Sequence, residues 1–166
     1  EQAASVGGSQ IWLEPGEVMT IDELPRATVI ASANDATVAL AEAVAGNEEA
    51  FVALMYKKAQ DLGLKITSFV NSYGLDAEGH LTTAHDIAIM SAELIKHKLI
   101  RDYSTVKIDS LRGGESELVN TNKLIRYYDG CFGLKTGTTG QAGSCLSATA
   151  ERGGLTLIAV VLGSPT

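Results

Sequence analysis

Two short motifs carry the side chains with the clearest chemistry in this sequence. Ser32-Ala33-Asn34 supplies a hydroxyl and an amide, and Lys135-Thr136-Gly137 supplies a positive charge 103 residues later. A hydroxyl, an amide and a cation together suit acyl transfer from a serine to an anionic substrate. The nucleophile for such chemistry is expected as Ser-x-x-Lys upstream of Ser32, and residues 1–31 contain no such pattern. The sequence therefore predicts most of a catalytic domain without its catalytic serine.

The backbone around each motif decides whether its side chains can share a site. Residues i and i+2 diverge by about 200° around an α-helix but point to the same side of extended backbone, so Ser32 and Asn34 are expected on a loop. Asn34 or Asp35 is predicted to cap the helix that follows. Taken alone, Ser32 and Asn34 would be ordinary helix caps, and Lys135 would be a solvated lysine on an edge strand. The spacing between the two motifs favours a shared site instead.

Periodicity predicts helices in the first half of the chain and strands in the second. The predicted helices cover 20 to about 31, opened by a Thr20–Glu23 capping box, then 36–45, 47–62 and 83 to about 97. The predicted strands cover 103–108, 133–137, 144–151 and 155–162, and the last three are expected to form an antiparallel meander. This order predicts an α+β fold in which a helical cluster packs on an antiparallel sheet.

Composition argues against several classes of function. The 166 residues carry a net charge of −7, so the basic face that nucleic acid requires is not expected. No stretch approaches the ~20 apolar residues of a membrane span. The histidines, at positions 80, 85 and 97, form no metal-ligand spacing with one another or with the two cysteines. Cys131 and Cys145 are expected as free thiols, and no cofactor or metal is predicted.

Further segments carry a resemblance to a known family. They lie in order along the chain: Gly7-Gly8-Ser9-Gln10, Leu13-Glu14-Pro15-Gly16-Glu17, Phe69-Val70-Asn71, Gly74-Leu75, Tyr127-Tyr128-Asp129-Gly130 and Leu157-Ile158-Ala159-Val160-Val161-Leu162-Gly163. Together with the two motifs they resemble the D-alanyl-D-alanine carboxypeptidases, which are low-molecular-mass penicillin-binding proteins. The resemblance implies a β-lactamase/DD-peptidase-like fold that is incomplete because its N-terminal part is missing. Residues 1–166 are therefore expected to form a single penicillin-binding, transpeptidase-like domain truncated at both ends.

The same resemblance implies a serine-type, penicillin-sensitive reaction that trims the terminal D-alanine from peptidoglycan stem peptides through an acyl-enzyme. Three catalytic residues are implied. Ser32 would relay a proton to the leaving amine, Asn34 would hold the substrate amide, and Lys135 would attract the terminal carboxylate. Because the nucleophile is missing, the chain by itself is expected to be inactive.

Substrate binding is implied for the rest of the second motif and the residue after it. Thr136 would share the carboxylate with Lys135, and Gly137 would let a peptide backbone approach the strand closely. The backbone N–H of Thr138 would form one half of an oxyanion hole, a type of donor whose loss costs ~3 kcal/mol of transition-state stabilisation.

The implied partners are a stem peptide ending in D-Ala-D-Ala and β-lactam inhibitors, and nucleic acid is not among them. An exported, extracytoplasmic location in the cell envelope is implied, with membrane association only through segments absent from this chain. A missing N-terminal part would also leave apolar helix faces and a sheet edge uncovered. A homodimer or a complementing N-terminal segment is therefore expected.

Alternative readings of the motifs stay open at this point. A β-lactamase needs a carboxylate that activates water, and Glu117-Leu118-Val119-Asn120 is the nearest pattern, at the wrong spacing. A non-catalytic module that binds cell-wall peptides fits the two motifs as well as a truncated enzyme does. Ser104-Thr105-Val106-Lys107 matches Ser-x-x-Lys but lies between the other motifs, in a predicted strand where serine and lysine would point to opposite faces.

Overall fold

The computed structural model describes residues 1–165, which form an α+β fold. The helices are α1 (Glu23–Arg26), α2 (Asn34–Ala45), α3 (Glu48–Asp61), α4 (Ala84–Leu94), α5 (Lys98–Ser104) and α6 (Leu124–Tyr127). The strands are β1 (Ile108–Leu111), β2 (Ser116–Val119), β3 (Cys131–Thr139), β4 (Gly143–Arg152) and β5 (Leu155–Ser164). The predicted fold class is confirmed, with α4 packed against β4 and β5 of an antiparallel sheet.

The predicted meander is the three-stranded sheet, in the order β3-β4-β5. Lys135 of β3 lies opposite Ser147 of β4. The hydroxyls of Ser147 and of Ser91 in α4 share a 2.7 Å hydrogen bond. Because directly opposite residues of an antiparallel pair share a face, Lys135 lies on the face of the sheet that meets the helices. Both cysteines are free thiols, as expected, and Cys131 lies opposite Ala150 of β4, next to a bulge in β3.

The predicted helix starts are correct in three places and wrong in one. Thr20 and Glu23 form the expected capping box, since the Glu23 N–H donates to Thr20 Oγ1 and the Thr20 N–H donates to Glu23 Oε2. Asn47 caps α3 and Thr83 caps α4 through their side-chain oxygens. Neither Asn34 nor Asp35 caps α2, however, because both residues lie inside its first turn and turn their side chains to the N-terminal segment.

Within residues 103–119 one prediction is wrong and one element was missed. Tyr103 and Ser104 end helix α5 rather than beginning a strand, and the Ser104 hydroxyl donates to the Phe132 carbonyl, so packing of α5 against β3 overrides the β-branched sequence that follows. The hairpin β1–β2 was not predicted at all. Each of its strands has only four residues, although Gly113-Gly114 between two alternating runs is a recognised hairpin signal.

The main apolar core lies under the hairpin and fixes the chain just before Ser32. Its buried members come from the N-terminal segment, α1, the turn after it, the start of α2 and the hairpin: Ile11, Leu24, Ala27, Ile30, Ala33, Ala36, Leu111 and Leu118. Burial of such side chains is the main force that orders a short, irregular segment. Outside this core, α3 and α4 border an open apolar groove of about 520 Å³. Within residues 1–165, no helix has the length and hydropathy needed to cross a membrane.

Candidate active site

Ser32 lies at an irregular turn between α1 and α2. Residues 27–31 form one π-helical turn, and Ser32 then adopts a left-handed conformation with φ 59° and ψ 36°. Ala33 is extended and α2 begins at the next residue. Single π-turns and left-handed non-glycine residues occur often at functional sites, because the surrounding fold must hold them against their local cost. The predicted loop geometry of the first motif is therefore present.

Lys135 reaches this turn from the sheet. Its Nζ donates a 2.6 Å hydrogen bond to Ser32 Oγ and a 2.7 Å hydrogen bond to the carbonyl of Thr136. Burial lowers the pKa of the Lys135 ammonium from its ordinary value of 10.5 to about 8. The ammonium is still the main form at pH 7, so the structure joins a hydroxyl to a largely desolvated positive charge.

Thr136 is linked to the turn before Ser32 through Thr121, a residue that the sequence did not indicate. Its hydroxyl lies 2.6 Å from the hydroxyl of Thr121, and the Thr121 N–H donates to the carbonyl of Ile30, two residues before Ser32. Buried asparagines flank Thr121: Asn120 Nδ2 donates to the carbonyls of residues 104 and 106, and Asn120 Oδ1 accepts the Asn122 N–H. The only sequence signal for Thr121 was this Asn-Thr-Asn pattern, which is typical of an ordered turn.

Asn34 does not join this network. Its Nδ2 donates a 2.8 Å hydrogen bond to the carbonyl of Gly7, and its own N–H donates to the carbonyl of Ser9. A Cβ on Gly8 would lie 2.6 Å from Asn34 Nδ2, so glycine permits this approach. Within residues 1–165 the Asn34 amide therefore anchors the Gly-Gly segment, and it makes no hydrogen bond to Ser32 or Lys135.

Gly137 and Thr138 continue β3 toward its turn, and both are exposed. A Cβ on Gly137 would meet no heavy atom within 4 Å, so the space beside this part of the strand is open. Because β3 is an edge strand within the described part of the chain, an extended peptide has room to lie alongside it.

The alternative motifs considered in the sequence, at residues 104–107 and 117–120, take no part in the contact between Ser32 and Lys135. Ser104 is buried against β3, whereas Lys107 is exposed beyond the end of α5, so Ser104 and Lys107 do not form a nucleophile pair. Glu117 is exposed on strand β2, where it pairs with Ser110 of β1. Across residues 1–165, no group of three or more His, Cys, Asp or Glu side chains is placed to hold a metal ion.

Sequence comparison finds that the chain is similar to D-alanyl-D-alanine carboxypeptidases. The family profile for D-alanyl-D-alanine carboxypeptidase matches residues 1–166. The D-alanyl-D-alanine carboxypeptidase DacF of Bacillus subtilis is 52% identical over 169 residues, covering 100% of this chain and 43% of its own length. DacC of Escherichia coli is 39% identical over 161 residues, covering 96% of this chain and 40% of its own length. The chain thus spans less than half the length of these relatives.

Solved structures agree with the sequence comparison. The D-alanyl-D-alanine carboxypeptidase DacD of Francisella tularensis superposes with a TM-score of 0.91 at 28% identity, covering 100% of this chain and 52% of that one. Penicillin-binding protein 5 of Haemophilus influenzae superposes with a TM-score of 0.90 at 35% identity, covering 96% of this chain and 46% of that one. The fold observed here is the fold of these proteins.

Proposed function

Because this chain belongs to the D-alanyl-D-alanine carboxypeptidase family, we propose that it forms one wall of the active-site cleft of a serine-type carboxypeptidase that shortens peptidoglycan stem peptides. The observation that carries this proposal is the 2.6 Å contact between Lys135 Nζ and Ser32 Oγ. It joins the two motifs that acyl transfer to an anionic substrate requires.

The contact suggests how Ser32 transfers a proton. The lysine ammonium can only donate, so Ser32 Oγ is the acceptor and the hydroxyl proton is free to point into the cleft. The serine of the upstream Ser-x-x-Lys would give its hydroxyl proton to the lysine of that motif and attack the carbonyl carbon of the bond between the two D-alanines. The C–N bond would then break, and the amine nitrogen would leave with a proton. Ser32 is placed to give that proton and to recover another through Lys135.

Charge supports the proposed carboxylate site. Lys135 is half-buried and positive, and Thr136 presents a hydroxyl paired with that of Thr121. A terminal carboxylate arriving here would form charge-assisted hydrogen bonds, which are stronger than hydrogen bonds between neutral groups. The carboxylate of a penicillin would use the same donors. Thr138 would give its N–H to the oxyanion, and Gly137 leaves room for the peptide.

Asn34 has a modified role in this proposal. The amide of Asn34 holds the Gly7 carbonyl, so its direct contribution is to fix the N-terminal segment beside Ser32. For Asn34 also to hold the substrate amide, the hydrogen bond to Gly7 would have to be exchanged for one to the substrate.

We place the nucleophile outside residues 1–166, on a segment that completes the single transpeptidase-like domain, and we expect the isolated chain to be inactive. The proposed partners are a stem peptide ending in D-Ala-D-Ala and β-lactams. The proposed location is outside the cytoplasm, where peptidoglycan lies.

The test compares the 166-residue chain with an extended protein, defined here as the chain preceded by a segment that carries Ser-x-x-Lys. Both are incubated with a fluorescent penicillin and examined by intact-mass spectrometry. The proposal expects a covalent adduct on the extended protein, release of D-alanine from a D-Ala-D-Ala peptide, and no adduct on the 166-residue chain. An extended protein that folds but neither forms the adduct nor releases D-alanine would overturn it.

A further inference from the structure

The segment between α3 and α4 contains two of the family-like patterns, and neither has a part in the chemistry described so far. Asn71 in this segment is buried. Its Oδ1 accepts the Gly74 N–H at 2.6 Å, and its Nδ2 donates to the Leu75 carbonyl at 2.9 Å. Gly74 has φ +84°, a conformation that suits glycine. One buried amide thus fixes the backbone of residues 74 and 75.

Asp76 follows residue 75 directly, and its side chain contacts Thr139 at the C-terminal end of β3. Its Oδ1 accepts the hydroxyl proton of Thr139 at 2.6 Å, and its Oδ2 accepts the Gln141 N–H at 3.0 Å. Thr139 Oγ1 in turn accepts the Ala142 N–H at 3.0 Å. A single carboxylate therefore holds both sides of the turn that joins β3 to β4. These hydrogen bonds also lower the pKa of Asp76, so the carboxylate is ionised at neutral pH.

Apart from the pairing of Thr138 with Ser144 and of Thr139 with Gly143 at the end of the β3–β4 ladder, the turn has few other contacts. Residues 137, 138, 140 and 141 are exposed, and no member of the apolar core lies among residues 137–142. Thr138, whose N–H is the proposed oxyanion donor, lies one residue before Thr139. A donor of this kind works only if its direction is set before the reaction begins. The position of Thr138 therefore depends on its own pairing with Ser144 and on what holds Thr139 next to it.

The same segment also contacts the surroundings of the first motif. The space above Gly8 is bordered by Leu75 Cδ2 and by Asn34 Nδ2. Residues 74–76 thus link the Gly-Gly segment beside Asn34 to the β3–β4 turn beside Thr138. This is an indirect connection between the surroundings of the two motifs, separate from the contact between Ser32 and Lys135.

We propose that Asp76 is a positioning residue, which clasps the β3–β4 turn through Thr139 and Gln141 and thereby holds the Thr138 N–H in the direction that acylation requires. Asn71 supports the clasp by fixing the backbone that presents Asp76. The proposal rests on the proposed function, because it assigns Asp76 a part in the same reaction.

The first test is independent of catalysis and uses the 166-residue chain. Amide hydrogen exchange is measured by NMR for wild type, Asp76→Ala and a charge-matched control, Asp61→Ala, at an exposed position near the end of α3. Asp76→Ala should speed exchange at Gln141 and Ala142 at least ten-fold, while Asp61→Ala leaves both unchanged. Equal exchange rates at Ala142 in Asp76→Ala and wild type would overturn the clasp, because this amide interacts with the Asp76 carboxylate and donates to the Thr139 hydroxyl that Asp76 holds.

The second test uses the extended protein and measures single-turnover acylation by a fluorescent penicillin over a range of concentrations. Asp76→Ala should lower the limiting acylation rate about ten-fold, with the dissociation constant changed less than about three-fold. Thr139→Val should act alike, and the double variant should lose no more than either single variant, because both remove one clasp. Asp61→Ala should match wild type.

Each other outcome has a definite meaning. If wild type is not acylated, the proposed function fails, whatever the exchange experiment shows. If wild type is acylated and Asp76→Ala is acylated equally fast, only the positioning role fails. A change confined to the dissociation constant, additive losses in the double variant, or an equal loss in Asp61→Ala would also overturn it.

Discussion

Lys135 and Ser32 meet at 2.6 Å although they are 103 residues apart. Each side chain is held by a different part of the fold, since Ser32 follows a π-helical turn packed into the apolar core and Lys135 lies on β3 opposite Ser147 of β4. The backbone of Ser32 is left-handed, and the Lys135 ammonium is largely desolvated. Neither feature helps the stability of the fold, so the pair is best explained by function.

Replacing Lys135 by alanine in the extended protein tests the carboxylate role. A hydrogen bond to a charged group contributes about 1.5–3 kcal/mol, so acylation efficiency should fall roughly ten- to a hundred-fold for both the penicillin and the D-Ala-D-Ala peptide. Lys57→Ala, at an exposed position of α3, is the matched control and should match wild type. Unaltered penicillin acylation in Lys135→Ala would remove this residue from the site.

The lowered pKa of Lys135 predicts a specific pH dependence of stability in the 166-residue chain. The folded ammonium loses its proton near pH 8 and the unfolded one near pH 10.5, so between these values the unfolded chain binds more protons and folding becomes more favourable as pH rises. Below pH 8 the full penalty of burying the charge applies, up to about 3 kcal/mol. Lys135→Met should therefore be more stable than wild type at pH 7.

Urea unfolding of wild type and Lys135→Met from pH 7 to pH 10.5 measures this effect. The stability difference between the two should shrink steadily above pH 8, and all other titrating groups cancel in the comparison. A difference independent of pH across this range would show that the folded lysine titrates at its ordinary pKa.

The left-handed backbone at Ser32 predicts that glycine and alanine act differently there. Ser32→Gly removes the hydroxyl but relieves the conformational cost, whereas Ser32→Ala removes the hydroxyl and keeps that cost of about 1 kcal/mol. Chemical denaturation should therefore find Ser32→Gly about 1 kcal/mol more stable than Ser32→Ala. In the extended protein both should lose acylation to the same extent, because the proton relay is absent from both. Equal stability would contradict the strained turn.

The sequence predicted the parts of the site that follow local rules. The loop at Ser32, the strand at Lys135 and the helix starts near 47 and 83 each depend on a few neighbouring residues, so short patterns were enough. The contact between Asp76 and Thr139 joins positions 63 residues apart through exposed polar groups, and no periodic pattern marks such a pair.

Asn34 shows that a local rule can also assign a side chain to the wrong partner. A helix-start rule assigned its side chain to its own helix, but the Gly7 carbonyl lies close enough to bind it instead. That carbonyl comes from an irregular segment 27 residues earlier, whose path depends on tertiary packing. Local patterns could not indicate this competition.

Asp35 predicts a large loss of stability on substitution. Its fully buried carboxylate accepts the N–H groups of Ile11 and Leu13, and it thereby fixes the N-terminal segment to α2. Asp35→Ala leaves these amides without a charged acceptor, so the free energy of unfolding should fall by about 3 kcal/mol. Asp61→Ala, an exposed control, should stay within about ±0.5 kcal/mol in the same urea titration. A loss below 1 kcal/mol for Asp35→Ala would contradict the proposed anchoring.

The last prediction concerns association of the 166-residue chain. Leu155, Leu157 and Val161 alternate along β5, so they share one face of the sheet, and they are 61%, 62% and 51% exposed. Strand β5 is also an edge strand within the described residues. Exposed apolar side chains beside a free strand edge favour pairing with another chain.

Sedimentation velocity over a hundred-fold concentration range should therefore show dimers or larger species of the wild-type chain. Replacing both Leu157 and Val161 by threonine keeps β-branched or short side chains suited to a strand and removes apolar surface, so it should shift the chain toward monomer. Leu99→Thr, at a 53% exposed position of α5, controls for the loss of apolar surface elsewhere and should associate like wild type. A wild-type chain that is monomeric at every concentration would contradict the prediction. Association that is weakened equally by Leu99→Thr would place the contact outside β5.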